Sequence, residues 1–318
     1  MENNIQVSII IPVFNEQGNL KILDQQITDV MSKMDFNYEV IFINDGSTDN
    51  SSQELEEIAQ ADKHARIITF LRNYGQTQAI AAGVDNALAK LIVTMDADLQ
   101  NDPRDIPKLL DKISQGYDVV SGWRIKRRDS FWGKKLPSAL ANFLSARLTG
   151  VKLHDLGCTL KAYKAKVLKD IEFKGDIHRF LPLCAAIQGA KIGEIPVRHH
   201  ERKHGCSKYG ASRFFKVILD MLTILFTWKF MAKPMQVFGG IGLVSVVFSV
   251  LIGVFIVLRK VLWAGQWVSP LLFLFVLFFI IGIQFILIGI LAEIVIRLYS
   301  GMRDQSSYRI KPENKEKV

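Results

Sequence analysis

The chain has 318 residues, 49% of them hydrophobic, and its 40 Lys and Arg outnumber 31 Asp and Glu, for a net charge of +9 and a pI near 9.4. That balance asks for an anionic partner, whether nucleic acid, anionic lipid or phosphorylated substrate. Cys158, Cys184 and Cys206 are odd in number and lack C-x-x-C spacing, which argues against metal or redox roles and for reduced structural thiols.

From the N-terminus, MENNIQVSIIIPVFNE has no basic n-region and meets Pro12 early, so no signal peptide is read. Gln6 to Val13 is a nearly continuous β-branched run, the pattern of a strand buried on both faces. Glu39 to Asn44, Ala65 to Leu71, Leu91 to Met95 and Asp118 to Ser121 repeat the signal. Between them, Gly18 to Met34, Ser51 to Lys63 and Gln76 to Ala89 read as helices, and Ser51 with Glu54 forms a capping-box pattern. Strands alternating with helices predict an α/β fold with right-handed crossovers and a mostly parallel sheet. Such sheets bind ligands beyond the carboxyl ends of their strands, where the polar motifs fall.

Further on, Gly133 to Leu148 and Ser212 to Met231 are amphipathic, and either can lie in a headgroup plane. For the first, packing on the core fits equally well. Met235 to Leu258 and Val268 to Ala292 are uncharged apolar stretches save for flanking residues, each longer than the roughly 20 residues a membrane-crossing helix needs. A short loop joins them into a helical hairpin. Lys229 and Lys233 precede the hairpin and Arg297, Arg303, Arg309 and Lys311 follow it, against Arg259 and Lys260 in its connection. Both chain ends are therefore expected in the cytoplasm, at the cytoplasmic membrane. The expected division is a catalytic domain over 1–210, a juxtamembrane segment over 211–233, the hairpin over 234–300 and a polar tail over 301–318. Two lone spans also invite packing between subunits, so a homo-oligomer is expected.

Asp96 and Asp98, in LIVTMDADLQNDP, follow an apolar strand, and alternate residues of an extended segment face one way. With Gln100 they offer hard oxygen donors suited to Mg²⁺ or Mn²⁺, whose remaining positions go to substrate phosphates. The plainer reading is a strand-end turn with acidic caps. Asp45, in VIFINDGSTDNS, either caps a turn or accepts hydrogen bonds from a nucleoside at the sheet edge, with PVFNE as a second wall. Arg124, Lys126, Arg127, Arg128, Lys134 and Lys135 form one basic group; Arg198, Arg202, Lys203 and Lys208 form another. Both suit phosphate oxygens, though a charge run is ordinarily a solvated face. His200 and His204 have helical ligand spacing, but only Glu201 adds an acidic ligand, which disfavours zinc. His154 and Asp155 before Gly157 and Cys158 lack a nucleophile elbow, which disfavours a hydrolase.

In order, PVFNE, NDGSTD, RNYGQTQA, MDADLQNDP, SGWR, HDLGCTLKAY and HHERKHGCSKYG resemble the inverting family 2 glycosyltransferases. More narrowly they resemble the polyprenyl-phosphate glycosyltransferases related to dolichyl-phosphate mannose synthase, over about residues 5 to 210. The hairpin extends the likeness to members that load a sugar onto undecaprenyl phosphate. The resemblance implies a GT-A fold, a nucleotide-sugar donor and a polyprenyl-phosphate acceptor. It implies that Pro12, Phe14, Asn15 and Glu16 with Asp45 hold the uridine, and that Asp96, Asp98 and Gln100 hold the metal on the donor diphosphate. Arg202 and Lys208 would clamp the donor phosphates. Arg124 would bind the acceptor phosphate with Arg128 and Lys135 as helpers, and Asp155 would lie near the reacting sugar. No Q-x-x-R-W segment occurs, so single transfer is favoured over polymer synthesis.

A phosphate monoester is largely ionised at neutral pH, so the acceptor needs no strong base; Asp155 either acts as a base or, the more economical role, orients sugar hydroxyls. UDP-glucose is the expected donor. The competing readings are a mannose- or aminoarabinose-type donor, a soluble or protein acceptor, and a non-catalytic scaffold or flippase. DNA binding is not favoured, since no recognition module is visible.

Overall fold

The computed structural model describes residues 5–124, 153–173, 175–200, 234–263 and 270–300. They fall into two compact units, one carrying a sheet and one made of two long helices. In the first, seven strands run β1 (Val7–Val13), β2 (Tyr38–Asn44), β3 (Ala65–Thr69), β4 (Leu91–Thr94), β5 (Val119–Arg124), β6 (Lys161–Lys164) and β7 (Ile192–Val197). Their order in the sheet is β3-β2-β1-β4-β6-β5-β7. All pairings are parallel except those of β6, which runs antiparallel between β4 and β5. Helices α1 (Leu20–Met31), α2 (Ser51–Ala61) and α3 (Gln76–Asn86) connect the first four strands, and α4 (Ile106–Ser114) leads into β5. Two short helices, α5 (Ala165–Lys169) and α6 (Leu181–Ile187), lie between β6 and β7.

The β-branched run in β1 is read correctly as doubly buried, because both faces of the sheet are covered. Val7, Ile9, Ile11 and Val13 join Leu20, Leu23 and Ile27 of α1 and Leu109 and Ile113 of α4 in one core. Ile10 turns to the other face, where Gly83 of α3 lets that helix approach closely: a Cβ on Gly83 would lie 2.4 Å from the Ile10 side chain. The expected helices and strands of the first 121 residues are present; most are trimmed at their ends, but β2 starts one residue earlier and β5 runs on to Arg124. The capping box is not present. Ser51 is the first residue of α2 rather than its cap; its Oγ accepts from the Glu16 N–H at 2.9 Å, and Glu54 accepts from the Gly18 N–H at 2.8 Å. Both side chains serve the neighbouring loop after β1.

The second unit pairs α7 (Pro234–Trp263) with α8 (Pro270–Ser300). Each is longer than the sequence suggested, and both are long and apolar enough to cross a membrane. Small residues set their separation. A Cβ on Gly242 would lie 2.6 Å from the Gly282 carbonyl, and one on Gly282 would lie 2.5 Å from Val246. Ser249 donates to the Phe275 carbonyl at 2.8 Å, satisfying its hydroxyl inside the pair. This is the close, small-residue packing that helices adopt where burial from water cannot drive association.

Candidate active site

The segments after β1 and β2 are sewn together. Asn15 holds a left-handed conformation, φ 56°, which asparagine tolerates. Its Oδ1 accepts from the Thr48 N–H at 2.8 Å, and its own N–H donates to Ser47 Oγ at 3.1 Å. Glu16 accepts from Asn19 Nδ2 at 2.8 Å. Pro12 lies within β1 opposite Ile43, and Phe14 follows directly, half-buried. The expected wall of PVFNE against NDGSTD is therefore assembled.

Asp45 is buried, and its carboxylate accepts from the Tyr74 N–H at 2.6 Å and the Gly75 N–H at 2.9 Å. Burial pushes this carboxyl above its ordinary value, while the two amide bonds pull the other way. Gly46 has φ 67°, and a Cβ there would lie 2.5 Å from the Arg72 backbone, so only glycine lets the two turns meet. The next residue, Gln76, opens α3 and donates from Nε2 to Asp96 Oδ1 at 2.7 Å. Successive residues at one helix start thus hold Asp45 and Asp96, bringing the ends of β2 and β4 to one place.

Asp98 is buried, and its Oδ1 accepts from the Gln100 N–H at 3.2 Å across Leu99, which is left-handed at φ 59°. Gln100 is half-buried, and its carbonyl accepts from the His200 N–H at 2.9 Å. Burial and the Asp98 charge push the Asp96 carboxyl up to about 7, with Glu16 adding and Arg124 opposing. Residues from the carboxyl ends of β1, β4 and β5, with Gln76 at the start of α3, therefore act on one carboxylate. Among the described residues no group of three or more His, Cys, Asp or Glu could hold a metal, so the described carboxylates could supply two ligands at most beside the Gln100 amide.

At the end of β5, Arg124 meets Asp155 in a two-pronged pair, Nε to Oδ2 at 2.6 Å and Nη2 to Oδ1 at 2.9 Å. Asp155 also accepts from the Gly157 N–H at 3.1 Å. Its own N–H and that of His154 donate to Glu194 of β7, whose carboxylate also meets His154 Nδ1 at 2.7 Å. His154 stacks on Trp123 at 4.3 Å.

Residues 8–172 match the family described as Glycosyl transferase family 2. The chain belongs to glycosyltransferase family 2. It is 39% identical over 309 residues to the dodecaprenyl-phosphate galacturonate synthase of Rhizobium johnstonii, covering 96% of this chain and 91% of that one. That relative bears out the resemblance to polyprenyl-phosphate glycosyltransferases. Two structures of glucosyl-3-phosphoglycerate synthase from Mycobacterium tuberculosis share the fold. One, with Mn²⁺, UDP and glucosyl-3-phosphoglycerate, gives a TM-score of 0.53 at 17% identity over 68% of this chain and 80% of that one. The other, with Mn²⁺, UDP and phosphoglyceric acid, gives 0.51 at 18% identity over 68% and 78%. The GT-A expectation is borne out, and the chain is a glycosyltransferase.

Several residues of this family 2 glycosyltransferase escaped the sequence reading. Gln76 and Thr77 lie in RNYGQTQA, a motif to which no role was given; Thr77 Oγ1 lies 2.8 Å from His178 Nδ1, both buried. Lys161 is buried in β6, donating from Nζ to the carbonyls of Leu156 at 3.4 Å and Arg179 at 3.2 Å. Burial lowers its pKa to about 8. Asp102 gathers Arg104, Arg198 and His200, the last at 3.2 Å, and so ties the end of β7 to the loop after Asp98. Cys158 and Cys184 are buried free thiols. Arg128, Lys135, Arg202 and Lys208, with the two amphipathic segments, lie outside the described residues.

Proposed function

We propose that this glycosyltransferase moves one sugar from a UDP-type donor to the phosphate of a membrane polyprenyl phosphate, inverting the anomeric carbon. The observation that carries the reading is the junction at Gly75 and Gln76, where Asp45 and Asp96 are held together at the strand ends. The Rhizobium relative, named for a polyprenyl-phosphate sugar product, supports the acceptor class. Pro12, Phe14, Asn15, Glu16 and Asp45 are assigned to the nucleoside. Arg202 and Lys208 are assigned to the donor phosphates, Arg124 with Arg128 and Lys135 to the acceptor phosphate.

The donor set fits a divalent cation. Two carboxylates and an amide are hard oxygen ligands, and the upward push on Asp96 reflects two acids brought together in a site with little water. Asp96, Asp98 and Gln100 would hold Mg²⁺ or Mn²⁺, which would offset the charge of the departing diphosphate. The chain's own residues bind and orient the substrates. The Arg124 fork is aligned by Asp155, and Asp155, already accepting four hydrogen bonds, is better suited to holding Arg124 than to taking a proton. The ionised acceptor needs no base, so placement of its oxygen in line with the anomeric carbon does most of the work.

The hairpin is assigned to the membrane, with both chain ends cytoplasmic, and the catalytic domain to 1–210 ahead of the juxtamembrane segment 211–233. UDP-glucose with undecaprenyl phosphate is the expectation from the sequence; the relative's name adds galacturonate and dodecaprenyl phosphate. The test is the purified full chain with radiolabelled UDP-glucose or UDP-galacturonate and each lipid phosphate. Label entering the organic phase only with lipid phosphate and divalent ion is expected; label confined to water-soluble or protein products would refute the acceptor class.

A further inference from the structure

Gln284 stands in the middle of α8. It lies 14 residues after Pro270 and 12 before Ile296, the ends of the apolar span, or about 21 and 18 Å at 1.5 Å per residue. Its side chain is exposed, and among the described residues its amide has no hydrogen-bond partner. The face of α8 that meets α7 is fixed by Phe275, Phe278, Gly282, Phe285, Ile286 and Gly289. At 100° per residue Gln284 lies roughly 150° around from the centre of that face. It shares its outer stripe with the exposed apolar side chains of Phe273, Leu277, Ile280, Leu287 and Leu291.

An amide facing hydrocarbon leaves two donors and an acceptor unsatisfied, which costs free energy until a partner is found. Water is scarce at that depth, and snorkelling to an interface about 18 Å away is beyond the reach of a glutamine. We propose that α8 packs against α8 of a second copy of this chain through Gln284. The argument for a second copy is depth. All copies insert with one orientation, so a twofold axis along the membrane normal sets Gln284 opposite Gln284 of the partner subunit. The two primary amides are self-complementary: each Nε2 donates to the other Oε1. The α7 residues level with Gln284, Gly242 and Leu243, follow from the contacts of Gly242 with both Gly282 and Ile286 and carry no polar side chain; Ser245, most of a turn further along, is half-buried and offers one short hydroxyl, not the paired donor and acceptor of an amide. A second copy therefore offers its own Gln284 as the polar side chain at that depth.

The inference rests on the membrane-spanning reading of the hairpin and not on the sugar. It is tested with the full chain, labelled with donor or acceptor fluorophore, in phosphatidylcholine–phosphatidylglycerol vesicles at increasing lipid dilution. Flotation with the vesicles is checked first, and failure to float would overturn both the membrane reading and this one. Wild type should associate reversibly. Gln284→Leu should raise the dissociation constant on the order of tenfold, whereas Gln284→Asn should restore part of the affinity. In a Cys206→Ser background, Gln284→Cys should form an intermolecular disulfide under a membrane-permeant oxidant, and Ile286→Cys, which faces α7, should not. A chain monomeric at every dilution, association unchanged in Gln284→Leu, or equal cross-linking at 284 and 286 would overturn the proposal.

Discussion

Breaking the Arg124–Asp155 pair should be expensive. The two side chains are only 13% and 5% exposed and meet through two charge-assisted hydrogen bonds. Removing one partner of a buried pair strands the other charge and typically costs about 3–5 kcal/mol. In Arg124→Ala, Asp155 loses both guanidinium bonds but keeps the Gly157 N–H and the backbone N–H of residue 124, so a cost at the low end, about 3 kcal/mol, is expected. For a domain of this size that lowers the Tm by roughly 6–12 °C. Arg124→Lys keeps the charge but loses the fork and should cost about half as much. The double change Arg124→Met with Asp155→Leu removes both charges, and its cost should fall short of the sum of the single ones by about 2 kcal/mol. Urea unfolding of the full chain in detergent, followed by tryptophan fluorescence, reads these three variants and the single changes Arg124→Met and Asp155→Leu that complete the cycle. Single variants within about 1 kcal/mol of wild type, or strictly additive costs, would refute this picture of a buried, coupled pair.

Asp24 lies away from the active site, with a buried Oδ1 that has no hydrogen-bond partner. Burial, with the Asp62 charge adding and His64 opposing, raises its pKa to about 6. The folded state therefore binds the extra proton, and stability should fall as pH rises from about 4 to about 6 and stay level above. Asp24→Asn should stabilise the protein at pH 7.5 by about 1–2 kcal/mol after allowance for solvent screening, and make little difference near pH 4; equal gains at both pH values would contradict this. Gln76→Leu removes the donor to Asp96 and should weaken binding of UDP with Mn²⁺ by about tenfold in calorimetry, with unchanged affinity as the contrary result. Asp98→Ala should abolish most transfer even in excess Mg²⁺ or Mn²⁺, and near-normal activity would remove it from the metal site.

The parallel half of the fold was legible because β1, β2 and β4 are buried on both faces and announce themselves as largely apolar runs, interrupted only by Ser8, Glu39 and the strand-end Asn44 and Thr94. The antiparallel β6 was not. It carries Lys161 and Lys164 in four residues, and what makes it a strand is the slot between β4 and β5, a tertiary fact that no local pattern encodes. The acidic motifs were visible from their place after apolar strands, but their partners were not: that Gln76 would serve Asp96, or Asp155 the guanidinium of Arg124, depends on contacts 20 and 31 residues apart. The capping box shows the converse, a correct local signal spent on a long-range contact because the loop after β1 needed acceptors. Gln284 stands out only once α7 is seen to cover the other side of α8.

The most direct measurement is the anomeric configuration of the lipid product. Full chain, an α-linked UDP sugar, polyprenyl phosphate and Mn²⁺ are incubated, and the organic-phase product is examined by mass spectrometry and proton NMR. A single sugar joined through the lipid phosphate with the β configuration, lost on adding EDTA, is the expected result. A retained α linkage, several sugars per lipid, or a full yield without divalent ion would contradict the account.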